Sequence, residues 1–83
     1  MLRILKYELE LGGANDLQMD AFGTPVSVQR QGNLFCMWAL VDDERDRVRR
    51  TFAFFGTGMI VPAVATYVGT VQKPPFVWHL FEV

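Results

Sequence analysis

Leu34-Phe35-Cys36-Met37-Trp38-Ala39-Leu40-Val41 is an uninterrupted run of eight apolar residues. That is short for a globular helix and suits a strand buried on both faces. Gln31-Gly32-Asn33, just before it, supplies a tight turn with a residue free to take positive φ. Upstream, Val26, Val28 and Arg30 alternate with Ser27, Gln29 and Gln31, the period of two of a β-strand. The two segments read as a β-hairpin, and any fold for this chain must cover both sides of its second strand.

The rest of the chain follows the same period. Leu2 to Leu9 reads as a strand ended by Gly12-Gly13, and Leu17-Gln18-Met19 as a short second one. Ala21-Phe22-Gly23-Thr24-Pro25 is a turn. Asp42 to Arg47 is an exposed charged connection, with one or two helical turns over Asp42–Arg50 as the alternative. Val48 to Phe55 is a strand with Val48, Arg50, Phe52 and Phe54 on one side and Arg49, Thr51, Ala53 and Phe55 on the other. Gly56 to Ala65, containing Pro62, has no regular period and is a loop. Thr66 to Gln72 is a strand that Lys73-Pro74-Pro75 breaks, because proline lacks the N–H a ladder needs. Phe76 to Val83 is the last strand. Six or seven short strands at this spacing predict an all-β fold, a small antiparallel sandwich or partly open barrel in one domain spanning residues 1–83.

Two strand segments end in Gly-Thr, at Phe55-Gly56-Thr57 and Val68-Gly69-Thr70. The echo suggests two neighbouring strands that both need glycine where the sheet coils.

An 83-residue chain buries only about 60–65% of the surface it exposes when unfolded, so its own core is thin. Yet 51% of the residues are apolar and 13% aromatic. The final strand repeats the difficulty of Leu34–Val41: Phe76, Trp78 and Leu80 lie on one side, Val77, Phe81 and Val83 on the other. Large exposed apolar patches are rare on soluble monomers. The expectation is a homo-oligomer, a dimer or higher, whose interface covers the second faces.

The formal net charge is −1, with a sequence pI of about 5.7. A general nucleic-acid binder is usually basic with a clustered Lys/Arg face, so that class is disfavoured. Cys36 is the only cysteine, which excludes an intramolecular disulfide and a cysteine-based metal cluster and fits a reducing cytosol. No segment has the roughly 18 apolar residues of a membrane-spanning helix, and no signal peptide is expected.

Gly56-Thr57-Gly58 is the motif closest to a ligand loop. Phosphate-binding glycine loops aim backbone N–H groups at an anion, usually where a helix begins. No Gly-Lys-Ser/Thr and no third spaced glycine accompany it, and Met59-Ile60-Val61-Pro62 is a poor helix start. The motif therefore reads first as a strand end needing positive φ, and second as the rim of a pocket. Arg45, Arg47, Arg49 and Arg50 are guanidiniums suited to carboxylates or phosphates, but Asp42, Asp43, Glu44 and Asp46 neutralise the run. Arg49 and Arg50, which enter the strand toward Gly56, are the best anion contacts. The candidate ligand-binding residues are Arg49, Arg50, Gly56, Thr57, Gly58 and Tyr67. His79, the only histidine, shares a face with Val77 and Phe81 and reads as a packed or interface residue. Cys36 sits in an apolar strand rather than the electropositive, accessible setting of a nucleophile. No carboxylate pair occupies an apolar context that would raise one pKa. These residues give no catalytic constellation, no metal site and no cofactor, and the chain reads as a non-enzyme.

The phrases KYEL, VSVQRQ, MWALVD, RRTFAFFGTG, YVGTVQ and VWHLFEV occur in that order from Lys6 to Val83. As a set they resemble a family of small bacteriophage and prophage proteins of unknown function. The resemblance implies a protein that works by binding in the host bacterial cytoplasm. One form would be an oligomeric counter-defence protein holding a nucleotide-like host signal in pockets between subunits. Others would be an inhibitor of a host protein, or a minor structural phage component. The family carries no assigned catalytic residues.

Overall fold

The computed structural model describes all 83 residues and contains seven antiparallel-paired β-strands and no helix. They are β1 (Leu2–Leu9), β2 (Ala14–Asp20), β3 (Thr24–Gln31), β4 (Leu34–Asp42), β5 (Arg47–Gly56), β6 (Thr66–Lys73) and β7 (Phe76–Glu82). Sheet A has the order β1-β4-β3, and sheet B has the order β2-β5-β7-β6. The sheets stay separate, so the fold is the sandwich of the two architectures expected. No helix is long and apolar enough to cross a membrane.

The hairpin β3–β4 forms as the sequence implies, with Gln31 opposite Leu34 across the Gly32-Asn33 turn. Inward from β4 point Phe35, Met37, Ala39 and Val41, all buried; outward, Cys36 is also fully buried while Leu34 and Leu40 emerge. The two-faced burial expected of this strand thus holds at its centre and fails at its ends. From sheet B, Phe52, Phe54, Val71 and Leu80 meet this layer, and the Phe35 and Phe54 rings touch between the sheets with centroids 5.3 Å apart. Only 14 of the 83 residues are buried, which is the thin core expected of this length.

Three details correct the sequence reading. Asp42–Arg50 forms no helix: the chain turns at Asp43–Asp46 and re-enters sheet B at Arg47. Thr24 and Pro25 belong to β3 rather than to the preceding turn, and the ladder to β4 shifts register just after Pro25, an edge-strand bulge of the kind at which proline is found. The two Gly-Thr strands are not neighbours, because β7 lies between β5 and β6. Their glycines answer different needs. Gly69 sits at a register shift in β6, where a Cβ would stand 2.9 Å from the Val28 side chain of β3. It leaves room for the Val28 side chain of the facing sheet. Gly56 instead leaves room for the Trp78 ring.

Because β5 and β6 run in the same direction on either side of β7, their connection must return along the sheet and cross β7. That geometry accounts for the length of the 57–65 loop.

Candidate functional site

The structure separates the six candidate residues into two places. Arg50 is a structural residue. Its Nε and Nη2 donate to the Glu82 carboxylate, at 2.7 Å each, and its Nη1 donates to the carbonyls of Asp20 at 3.0 Å and Gly23 at 2.8 Å. The Glu82 carboxylate pushes the pKa of the Arg50 guanidinium above its ordinary value. Arg50 therefore faces inward, ties β5 to β7 and to the β2–β3 turn, and has no donor pair left for a ligand.

Arg49 points outward opposite Gln18. It lies seven residues from Gly56 along β5, about 23 Å at the rise of a strand. That is too far for one small molecule to touch both, so the expected grouping of Arg49 and Arg50 with the glycine loop does not form within one chain. Arg45 is also occupied, donating to both Asp20 carboxylate oxygens and standing over the Phe22 ring at 5.1 Å.

Gly56, Thr57 and Gly58 share one turn at the end of β5, and Tyr67 is joined to Thr57 only through Thr70 and His79, on the outer side of sheet B. Met59 N donates to the Gly56 carbonyl at 3.0 Å, closing a four-residue turn. Gly58 has a φ of 91°, and a turn with positive φ at its third position is the type II pattern, which wants glycine there. The positive φ expected of the Gly56-Thr57-Gly58 motif is thus at Gly58. The turn forms one wall of an open cleft of about 460 Å³, completed by Pro75, Phe76, Val77 and Trp78. The Phe76 and Trp78 ring centroids are 6.1 Å apart.

From the cleft a chain of polar groups crosses the sheet. Thr57 Oγ1 lies 3.1 Å from His79 Nε2, His79 Nδ1 lies 3.0 Å from Thr70 Oγ1, and Thr70 Oγ1 lies 2.6 Å from the Tyr67 hydroxyl. Register explains the assembly: Thr70 is directly opposite His79 in the β6–β7 pair, and Phe55, one residue before the Gly56 turn, is opposite His79 in the β5–β7 pair. The Phe81 ring packs edge-on against both Phe55 and Tyr67, at 5.7 and 5.5 Å, and closes the apolar side of this row. A neutral imidazole donates from one nitrogen and accepts at the other, so the row of hydrogen bonds has a direction and ends in one outward-facing hydroxyl donor.

His79 and Thr70 were not among the six candidates. The alternation of the last strand put His79 on one face with Val77 and Phe81 and read it as a packed or interface residue; only strand order sets Thr70 and Thr57 beside it. A hydroxyl on Nε2 is the arrangement of a base-activated nucleophile. Here, however, the group on Nδ1 is the neutral Thr70 hydroxyl, which supplies no charge to stabilise an imidazolium. The arrangement is better suited to holding a polar group than to driving a proton transfer. No cluster of three or more His, Cys, Asp or Glu side chains forms a metal-binding group.

No curated protein and no solved structure matches the chain. A family model does match, over residues 1–83: the chain belongs to the family described as Domain of unknown function (DUF7352).

Proposed function

We propose that this protein is a non-catalytic binding protein that takes a small nucleotide-like ligand in the cleft between the Gly56–Met59 turn and Pro75–Trp78. The observation that carries this reading is an open cleft of about 460 Å³ that holds two aromatic rings and whose wall residue Thr57 is hydrogen-bonded to the imidazole and hydroxyl row on the outer face of sheet B. Ligand sites of this size are mainly apolar and aromatic with a few placed polar groups, and base rings stack on aromatic side chains. With Arg50 committed to Glu82, recognition falls on the base and sugar. Any phosphate contact would come from a second copy, which fits the homo-oligomer that the surplus apolar surface implies. In the phage setting suggested by the sequence resemblance, such a protein would work in the host cytoplasm by sequestering a nucleotide-like immune signal.

The test is a thermal-shift and fluorescence titration with a panel of nucleosides, cyclic nucleotides and ADP-ribose-type compounds. A ligand at 100 times its Kd adds about 2.7 kcal/mol to stability, a shift of several degrees. Phe76→Ala and Thr57→Val should abolish the shift. A flat response across the panel would overturn the reading.

A second reading is favoured by one observation. The 57–65 loop carries no charged residue, and Ile60 and Val64 are 92% and 90% exposed. Apolar side chains presented in this way suit docking on another protein, as a host-protein inhibitor would require. Ile60→Asp with Val64→Asp should then abolish that complex and leave the nucleotide response intact.

A further inference from the structure

Each sheet has two open edges, and three of the four carry a feature that discourages further pairing. In β3 it is Pro25 and the register shift that follows it. In β6 it is the register shift between Tyr67 and Gly69, together with the close approach of Val28. In β2 it is the composition Ala-Asn-Asp-Leu-Gln-Met-Asp, ending in Asp20, which is buried and held by Asp42 N–H and Arg45. Natural sheets protect their edges with such prolines, bulges and charged residues.

β1 has neither proline nor register shift, and its one charge on the inner face, Arg3, is exposed and paired with Asp43 near the strand's start. Its eight residues, Leu-Arg-Ile-Leu-Lys-Tyr-Glu-Leu, contain no proline or glycine and pair with β4 in unbroken register from Leu2–Asp42 to Leu9–Phe35. Leu2 and Ile4 are 65% and 62% exposed on its outer face. A long, regular, apolar edge strand is a template for another strand.

We infer that β1 is a self-association edge, and that its occupant is β1 of a second copy, paired antiparallel about Tyr7. The charges select this register. In an antiparallel pair, directly opposed residues lie on the same face, so a symmetric pair must centre on a residue. Centring on Lys6 sets two ammonium groups against each other, and centring on Leu5 leaves Lys6 and Glu8 facing Ile4 and Leu2. Centring on Tyr7 pairs Leu5–Leu9 of the two copies and places Lys6 of each opposite Glu8 of the other, twice by symmetry, with Ile4 and Leu2 lying beyond the paired segment. Opposite charges in this position stabilise a strand pair and like charges destabilise it. Lys6 and Glu8 are both exposed and on the same face of β1. Sheet A of the two copies then forms one six-stranded sheet in the order β3-β4-β1-β1-β4-β3.

This inference is independent of the cleft ligand, since β1 belongs to sheet A and the cleft to sheet B. Sedimentation equilibrium of the full chain over about 1–100 µM tests it. The wild type should dimerise. Lys6→Glu and Glu8→Lys, each of which creates two like-charge oppositions, should raise the dimer Kd by about tenfold or more, and the double variant K6E/E8K should return it to the wild-type range. Circular dichroism of both single variants should match the wild type, since both sites are on the surface. A wild type that stays at 9.5 kDa throughout, single variants that dimerise as the wild type does, or a double variant that remains dissociated would each overturn the assignment.

Discussion

The Arg50 guanidinium and the Glu82 carboxylate meet end to end through two hydrogen bonds of 2.7 Å, with the Arg50 side chain only 13% exposed. The pair joins the middle of β5 to the end of β7, and the third nitrogen of the same guanidinium holds the β2–β3 turn by two carbonyls. One side chain therefore fixes three segments that are far apart in sequence.

Removing it leaves a partly buried carboxylate and the Gly23 carbonyl without this donor, while the Asp20 carbonyl keeps the Gly23 N–H. Arg50→Ala should cost about 2–4 kcal/mol, in the range for breaking a sequestered charge-assisted contact. Arg49→Ala, one residue away but outward, should stay within about 0.5 kcal/mol. Urea unfolding measures both; equal effects would show that the inward and outward faces of β5 had been misassigned.

At the seam between the sheets, Gly69→Ala drives a Cβ to 2.9 Å from Val28 Cγ2. Overpacking of this kind costs about 1–3 kcal/mol. Val28→Ala removes the colliding methyls at its own cost, so the double variant should be more stable than the sum of the two single losses. Simple additivity in a double-mutant cycle would show that the two residues do not touch.

Acid should weaken the fold through the aspartates around the β4–β5 turn. Asp20 accepts from the backbone N–H groups of Asp42 and Phe22, at 2.9 Å each, and from Arg45, and these contacts hold its pKa below the ordinary carboxylate value. The N–H of Glu44 acts similarly on Asp42, and Arg3 on Asp43. A carboxylate whose pKa is lower folded than unfolded contributes stability that is complete above the unfolded value, about 3.9, and is lost as pH falls through the folded one. The urea midpoint should therefore be flat from pH 7 to about 5 and fall below pH 4. Asp20→Asn should have a lower midpoint at pH 7 and a shallower acid limb; an unchanged limb would remove Asp20 from this account.

The Trp78 indole Nε1 is buried without a hydrogen-bond partner. Leaving such a donor unsatisfied costs about 1–3 kcal/mol, comparable with what the larger ring gains in apolar contact. Trp78→Phe should therefore change stability by less than about 1 kcal/mol, whereas Trp78→Ala should cost about 3–5 kcal/mol. A loss above 2 kcal/mol for the phenylalanine variant in thermal unfolding would mean that the N–H is satisfied.

Cys36 has no exposed surface. Its thiol should react with Ellman's reagent only as fast as the protein opens, and stoichiometrically in denaturant. Rapid labelling of the native protein would show that β4 is not covered on its outer face.

Most of the strands could be read from sequence because side-chain alternation is local. The eight-residue apolar run, the Gly32-Asn33 turn and the two prolines at 74 and 75 each act within a few residues, and the elements they define are where the sequence implies. The same alternation put Val77, His79 and Phe81 on one face. What it could not supply was strand order. Reading along the chain, Arg49 and Arg50 lead toward Gly56-Thr57-Gly58 and look like one site. Only the β2-β5-β7-β6 order shows that the strand's alternation turns Arg50 inward to Glu82, while the strand's length leaves Arg49 at the opposite end. Thr57, Thr70, His79 and Tyr67 come from two strands and the turn that follows a third, and nothing in their sequence spacing joins them. The sequence by itself determined the strands and which side chains share a face, because those follow from the backbone repeat of two. Only the tertiary structure decided which faces meet and which polar groups become partners, because sheet order and register arise from long-range pairing.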